Sequence, residues 1–121
     1  NVLWGQKLVD NLKKIVDATD AKIVISSTWR MGHPWVTFID MFKIYYWENA
    51  PVIGATPIKH TKRGYEIQEY LNKHPEVTNY VILDDSTDML AEQFDNFVNT
   101  DEKVGLTEQD ADDAIRILNG E

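Results

Sequence analysis

The chain has 121 residues, with 20 Asp and Glu against 12 Lys and Arg and a formal net charge of -8. This charge excludes a generally basic, polyanion-binding surface, although a local basic site is compatible with it. The absence of Cys excludes disulfides and thiolate metal sites. Because there is neither a signal peptide nor an apolar run of about 18 residues, we expect a cytoplasmic protein without a membrane span.

In the first half of the chain, the periodicity of apolar residues is clear in some segments and mixed in others. Apolar residues at helical spacing predict a helix over residues 6–18, and the run 22–26 predicts a short buried strand that ends in Ser26. The aromatic stretch over residues 31–56 has mixed periodicity and predicts only a short helix near residues 35–42. These aromatic side chains could wall a substrate pocket or stack a base, but more often such residues form core.

The second half alternates more regularly between helix and strand. The patterns predict a helix over residues 63–73, strands over residues 81–84 and 97–98, a helix over residues 87–94, and a final helix between Thr107 and Gly120. Helices that alternate with short β-branched strands indicate an α/β fold, a parallel sheet with helices on both faces. The length and the lack of a linker predict a single domain over residues 1–121.

The most informative feature is the apolar strand over residues 81–84, which runs directly into Asp84, Asp85 and, after a short gap, Asp88. The carboxyl ends of parallel strands are where open α/β sheets hold ligands. Adjacent carboxylates repel each other unless a cation lies between them, and oxygen ligands of this kind suit Mg²⁺. The alternative is an Asp-rich turn that caps the next helix.

Two other segments offer the groups that a phosphate site needs. Residues 25–30 end a strand in three hydroxyl side chains and an Arg, which can donate hydrogen bonds to phosphate oxygens. Residues 59–63 are basic and precede a helix, whose amino end favours anions. The alternatives are a polar capping loop for the first segment and a solvated basic turn for the second.

In this order the segments resemble the second, third and fourth motifs of the haloacid dehalogenase-like (HAD) superfamily of phosphohydrolases. The closest likeness is to the small HAD domains that occur alone or attached to RNA-repair proteins. The matching motifs are Ser26-Ser27-Thr28-Trp29-Arg30, Arg63, Leu83-Asp84-Asp85 and Gly105-Leu106-Thr107. The resemblance covers nearly the whole chain and implies a Rossmann-like HAD fold with a small cap or none.

The resemblance also implies a Mg²⁺-dependent phosphatase and a role for each matching residue. The implied catalytic residues are Ser26, Arg63 and Asp85, the substrate-binding residues are Ser27, Arg30 and Lys62, and the metal ligands are Asp84, Asp85 and Asp88. Ser26 would bind the transferring phosphoryl group, and Arg63, or else Lys62, would neutralise its charge. The substrate would be a phosphomonoester, with a nucleotide or a nucleic-acid end as candidates. The sequence does not predict the oligomeric state.

The family's first motif, Asp-x-Asp at the end of the first strand, has no match before Lys22. This motif supplies the nucleophile and the general acid/base. We therefore expect upstream residues of the native protein, or another chain, to supply a strand between those over residues 23–26 and 81–84. Without that strand, unpaired backbone groups should destabilise residues 1–121, which should neither fold well nor hydrolyse substrate alone.

Two other classes of protein remain as alternatives. A non-catalytic HAD-like binding module would keep the scaffold and lack the nucleophile. A phospho-receiver module also opens with a strand that ends in Asp-Asp, but it needs a later strand-end Asp and a Lys that the residues after Asp85 do not provide in that pattern. The residues encoded immediately upstream of Asn1 would distinguish the enzyme from the binding module.

Overall fold

A computed structural model of the protein describes residues 5–26, 40, 42–57, 62–101 and 103–120. In chain order the elements are α1 (Gly5–Thr19), β1 (Ile23–Ile25), β2 (Val52–Ala55), α2 (Arg63–Lys73), β3 (Ile82–Asp84), a 3₁₀ helix (Ala91–Asn96), β4 (Phe97–Asn99) and α3 (Glu108–Leu118). They form two compact units. The first unit contains α1, β3, the 3₁₀ helix, β4 and α3, and the second contains β1, β2 and α2.

The core of the first unit lies between α1, α3 and the strand β4. Its buried members are Ile15, Val98, Leu106, Ala111 and Ala114. The small side chains of Ala111 and Ala114 let α3 approach α1 closely, and larger apolar side chains fill the flanks. The polar side chain of Asn11 is also buried, and it is satisfied because its Nδ2 donates to the carbonyl oxygen of Leu106 at 2.8 Å.

The two strands of the first unit are parallel and in register. Ile82 lies opposite Phe97, Leu83 opposite Val98 and Asp84 opposite Asn99. Both strands therefore end at the same edge, and this edge carries two polar residues. The first unit thus confirms the predicted strands and their parallel direction.

A short loop connects β4 to α3 and fixes the approach of Leu106 to the core. Oδ1 of Asp101 accepts the backbone N–H groups of Lys103 at 2.7 Å and Val104 at 2.8 Å. The bond from Val104, followed by that from Lys103, lowers the pKa of the Asp101 carboxyl group. Gly105 follows with φ of +80°, a backbone conformation that favours glycine.

Side chains cap the amino end of α3, as the sequence predicts. Oγ1 of Thr107 accepts the N–H of Asp110 at 3.1 Å, and Oδ2 of Asp110 accepts the N–H of Thr107 at 3.1 Å. Such a capping box satisfies two N–H groups that the helix leaves without a partner. At the other end, Gly120 has φ of +78° just beyond the helix.

In the second unit, β1 and β2 are parallel, with Ile23 opposite Val52 and Ile25 opposite Ala55. The hydroxyl oxygen of Tyr70 on α2 lies 3.5 Å from where a side chain at Gly54 would begin, so the helix contacts β2 at this glycine. The Tyr70 ring stacks on His74 at 4.1 Å between ring centres. The helix ends there, before Pro75, as predicted.

The structure corrects two expectations. The predicted helix over residues 87–94 is wrong: Leu90 is extended, and a 3₁₀ helix starts only at Ala91. Side chains cause this, because Oγ of Ser86 accepts the N–H of Asp88 at 3.2 Å and Oε1 of Gln93 accepts the N–H of Leu90 at 2.9 Å. These bonds offer the backbone an alternative to the helix.

The second correction concerns the aromatic stretch. Strand β2 was not predicted there, since Val52–Ala55 is short and contains a glycine. The helix predicted near residues 35–42 falls almost wholly outside the described residues, which contain one helical turn at residues 42–45. None of the helices in the described ranges has the length and apolar character needed to cross a membrane.

Candidate active site

The carboxyl end of β3 places two aspartates in contrasting environments. Asp84 is the last residue of the strand and is only 4% exposed. Asp85 follows it and is exposed. The buried position of Asp84 follows from alternation along the strand, in which Ile82 and Asp84 lie on one face and Leu83 on the other. The edge therefore offers one buried and one accessible carboxylate.

A polar turn follows Asp84. Oδ1 of Asp84 accepts the backbone N–H of Ser86 at 2.9 Å. Oγ of Ser86 in turn accepts the N–H of Asp88 at 3.2 Å. The buried side chain of Met89 then anchors the chain. A polar turn is therefore present, as in the alternative interpretation of the sequence, and it holds the carboxylate of Asp84 in place. It does not cap a helix, because the next helical residues begin only at Ala91, with Leu90 as the N-cap residue.

The neighbouring strand contributes to the same edge. The carbonyl oxygen of Asp84 accepts the N–H of Thr100 at 2.8 Å and Nδ2 of Asn99 at 3.1 Å. Asn99 was not singled out from the sequence. The sequence nevertheless indicates a polar residue at this edge. Asn99 directly follows the predicted strand over residues 97–98, just as Asp84 ends the predicted strand over residues 81–84.

The chemistry of these side chains fits Mg²⁺. Among the described residues, no group of three or more His, Asp or Glu side chains is arranged to hold a metal ion. Mg²⁺ does not require such a group, since it usually binds one or two carboxylates and completes its shell with water and phosphate oxygens. Asp84 and Asp85 supply that number of carboxylates, and Asp88 is exposed further along the same turn.

The second unit also carries polar side chains at the carboxyl end of its parallel strands. Ser26 directly follows β1, and Thr56 directly follows β2. The N–H of Thr56 donates to the carbonyl oxygen of Ile25 at 2.9 Å, which keeps the two strand ends together. Thr56 is buried and Ser26 is partly buried. Thr56 was missed because β2 was missed.

The predicted basic residues lie at the start of α2. Lys62 is the N-cap residue and is exposed, whereas Arg63 is the first residue of the helix and is partly buried. Ser27 and Arg30, the other predicted substrate-binding residues, lie outside the described residues. That Ser26 and Arg63 act on the same phosphate as Asp84 stays a prediction.

A surface depression of about 410 Å³ lies along β4 and α3 in the first unit and reaches the candidate edge at Asn99. Its lining residues are Phe97, Val98, Asn99, Asp110, Asp113, Arg116 and Ile117. The charged groups there have partners of their own: Arg116 pairs with Asp113, and Asp110 caps α3. The depression therefore lacks the open, convergent polar groups that a catalytic site needs.

Comparison with known proteins agrees with the geometry of the strand ends. Searches of curated proteins and of solved structures found no match. A scan against protein families matched residues 3–111 to the family described as the HAD domain in Swiss Army Knife RNA repair proteins. The match includes all of the predicted site residues and most of the chain. The chain therefore belongs to this family of HAD domains, which confirms the superfamily indicated by its motifs.

Proposed function

We propose that this chain is the HAD domain of a Mg²⁺-dependent phosphohydrolase that acts on phosphomonoesters. The observation that carries the proposal is the buried carboxylate of Asp84 at the carboxyl end of parallel strand β3, followed by the exposed carboxylate of Asp85. Membership of a HAD family supports a phosphohydrolase scaffold. We also propose that the native protein contains the larger, Rossmann-like parallel sheet of that superfamily.

In this proposal Asp84 and Asp85 hold Mg²⁺, with Asp88 as a further ligand. The ion, when bound, would offset negative charge on the phosphate oxygens. The hydroxyl group of Ser26 would donate a hydrogen bond to a phosphate oxygen. The planar guanidinium group of Arg63 would donate two hydrogen bonds to oxygens of the same phosphate. Fixed donors of this kind provide most of the catalysis in phosphoryl transfer. Ser27, Arg30 and Lys62 would contact the remainder of the substrate.

The nucleophile is proposed to come from a strand that precedes residue 1 in the native protein. No Asp-x-Asp motif in these residues follows an apolar strand. Within the part of the chain that the structure describes, β3 has one strand neighbour, β4. Its other edge can therefore receive a strand, which would satisfy backbone N–H and C=O groups and deliver an Asp side chain at the carboxyl edge.

The proposed substrate is a nucleotide or the phosphorylated end of a nucleic acid. The description of the family as a domain of RNA repair proteins supports this class. The net charge of -8 favours recognition of an end over binding along a strand, since proteins that bind along the phosphate backbone need many positive contacts. A non-catalytic HAD-like binding module is the second candidate, since no Asp-x-Asp motif within residues 1–121 follows an apolar strand.

The metal site can be tested by thermal unfolding of the full-length protein. Mg²⁺ with inorganic phosphate should raise the melting temperature, because a ligand that binds only the folded state stabilises it by about 2.7 kcal/mol at 100 times its dissociation constant. Asp85→Asn should abolish this increase. Asp95→Asn, at an exposed aspartate of the 3₁₀ helix, is the matched control and should retain it. An undiminished increase in Asp85→Asn would contradict the assignment.

A further inference from the structure

At each end of the β3–β4 pair, an asparagine side chain forms a hydrogen bond to the backbone on the β3 side. At the amino end, Nδ2 of Asn96 donates to the carbonyl oxygen of Tyr80 at 2.9 Å. At the carboxyl end, Nδ2 of Asn99 donates to the carbonyl oxygen of Asp84 at 3.1 Å. Both bonds join a residue on the β4 side to the backbone on the β3 side, and both are partly buried. Only the second touches the candidate metal site.

The carbonyl group of Asp84 belongs to the peptide that joins the two aspartates. It accepts the N–H of Thr100 at 2.8 Å in addition to the Asn99 amide. A carbonyl oxygen has two lone pairs, so these two donors use its full capacity. Because a peptide group is planar, fixing its oxygen also fixes its N–H and the direction in which the chain continues into Asp85.

We propose that Asn99 is a positioning residue for the metal-binding aspartates. Its amide group holds the Asp84–Asp85 peptide in one orientation, while the N–H of Ser86 holds the carboxylate of Asp84 from the turn. The backbone that carries the two carboxylates is thereby held in one conformation before the cation arrives. This inference rests on the proposed function. It assigns to Asn99 an indirect role, through the backbone, and no contact with substrate.

The test measures binding of Mn²⁺, as a paramagnetic substitute for Mg²⁺, to the full-length protein in the presence of inorganic phosphate. Electron paramagnetic resonance of free Mn²⁺ gives the dissociation constant directly. Asn99→Ala should raise this constant on the order of tenfold, the usual effect of losing a group that orients a metal ligand. Asn96→Ala removes the same type of bond at the opposite end of the strands and should leave Mn²⁺ affinity near that of the wild type.

A second variant separates loss of the Asn99 hydrogen bond from a general loss of structure. Asn99→Leu keeps the branched shape of the side chain and removes its donor, so it should weaken Mn²⁺ binding as Asn99→Ala does. Normal affinity in both Asn99 variants, or equal weakening in Asn96→Ala, would overturn the inference and leave the metal site standing. Absence of Mn²⁺ binding by the wild-type protein would overturn the proposed metal site and this inference with it.

Discussion

Replacing Leu106 with Ala is expected to lower the free energy of unfolding of the first unit by about 2–5 kcal/mol. Leu106 is only 3% exposed and belongs to the buried cluster with Ile15 and Val98. The neighbouring Ala111 and Ala114 are too small to fill the space that the side chain would leave. A loss of this size is a large part of the roughly 5–15 kcal/mol that stabilises a typical domain.

Hydrogen exchange of the full-length protein under native conditions would measure this loss, because amides in α1 and α3 report on the first unit itself. Val104→Ala is the control, two residues away in the same loop and 57% exposed. It should change stability by no more than about 0.5 kcal/mol. Similar effects of the two substitutions would show that Leu106 does not contribute to the core as described.

Arg63→Ala is expected to reduce kcat for release of phosphate from an aryl phosphate by roughly 10²–10³-fold, the usual effect of removing one fixed donor to a developing negative charge. Arg63 is the first residue of α2 and is partly buried, so its guanidinium group is held more firmly than the exposed side chain of Lys62. Steady-state kinetics of the full-length protein measures the change.

The comparison of Arg63→Ala with Lys62→Ala decides which basic residue neutralises the phosphate. Lys62 is the adjacent N-cap residue and carries the same charge, so its removal controls for a general change in the electrostatic field. We expect Lys62→Ala to retain most of the wild-type kcat and to raise KM, because Lys62 is proposed to contact the remainder of the substrate. A large loss in Lys62→Ala with normal turnover in Arg63→Ala would reverse the assignment.

Local signals made most of the elements predictable from sequence. The helix α3 combines an apolar face with a Thr107 cap and a terminal Gly120, and all three signals agree. The strand β3 was predictable because four apolar residues precede Asp84. The position of Asp84 and Asp85 at a strand end followed from the same pattern, since the strand and the polar turn meet at one residue.

The features that sequence reasoning missed depend on contacts between distant residues. Strand β2 is stabilised by pairing with β1, a contact between segments far apart in sequence that periodicity does not reveal. The helix predicted over residues 87–94 does not form, because the side chains of Ser86 and Gln93 accept backbone N–H groups in this segment. The role inferred for Asn99 needs the register that places it opposite Asp84, and no local pattern gives that register.

The most direct test of the account is Mg²⁺-dependent release of phosphate from an aryl phosphate by the protein with its upstream residues. We expect turnover that requires Mg²⁺, that EDTA stops, and that Asp85→Asn abolishes, whereas residues 1–121 alone should give none. Mg²⁺ binding without turnover in the longer protein would favour the non-catalytic binding module. Turnover by residues 1–121 alone, or turnover that persists in EDTA and in Asp85→Asn, would contradict the account.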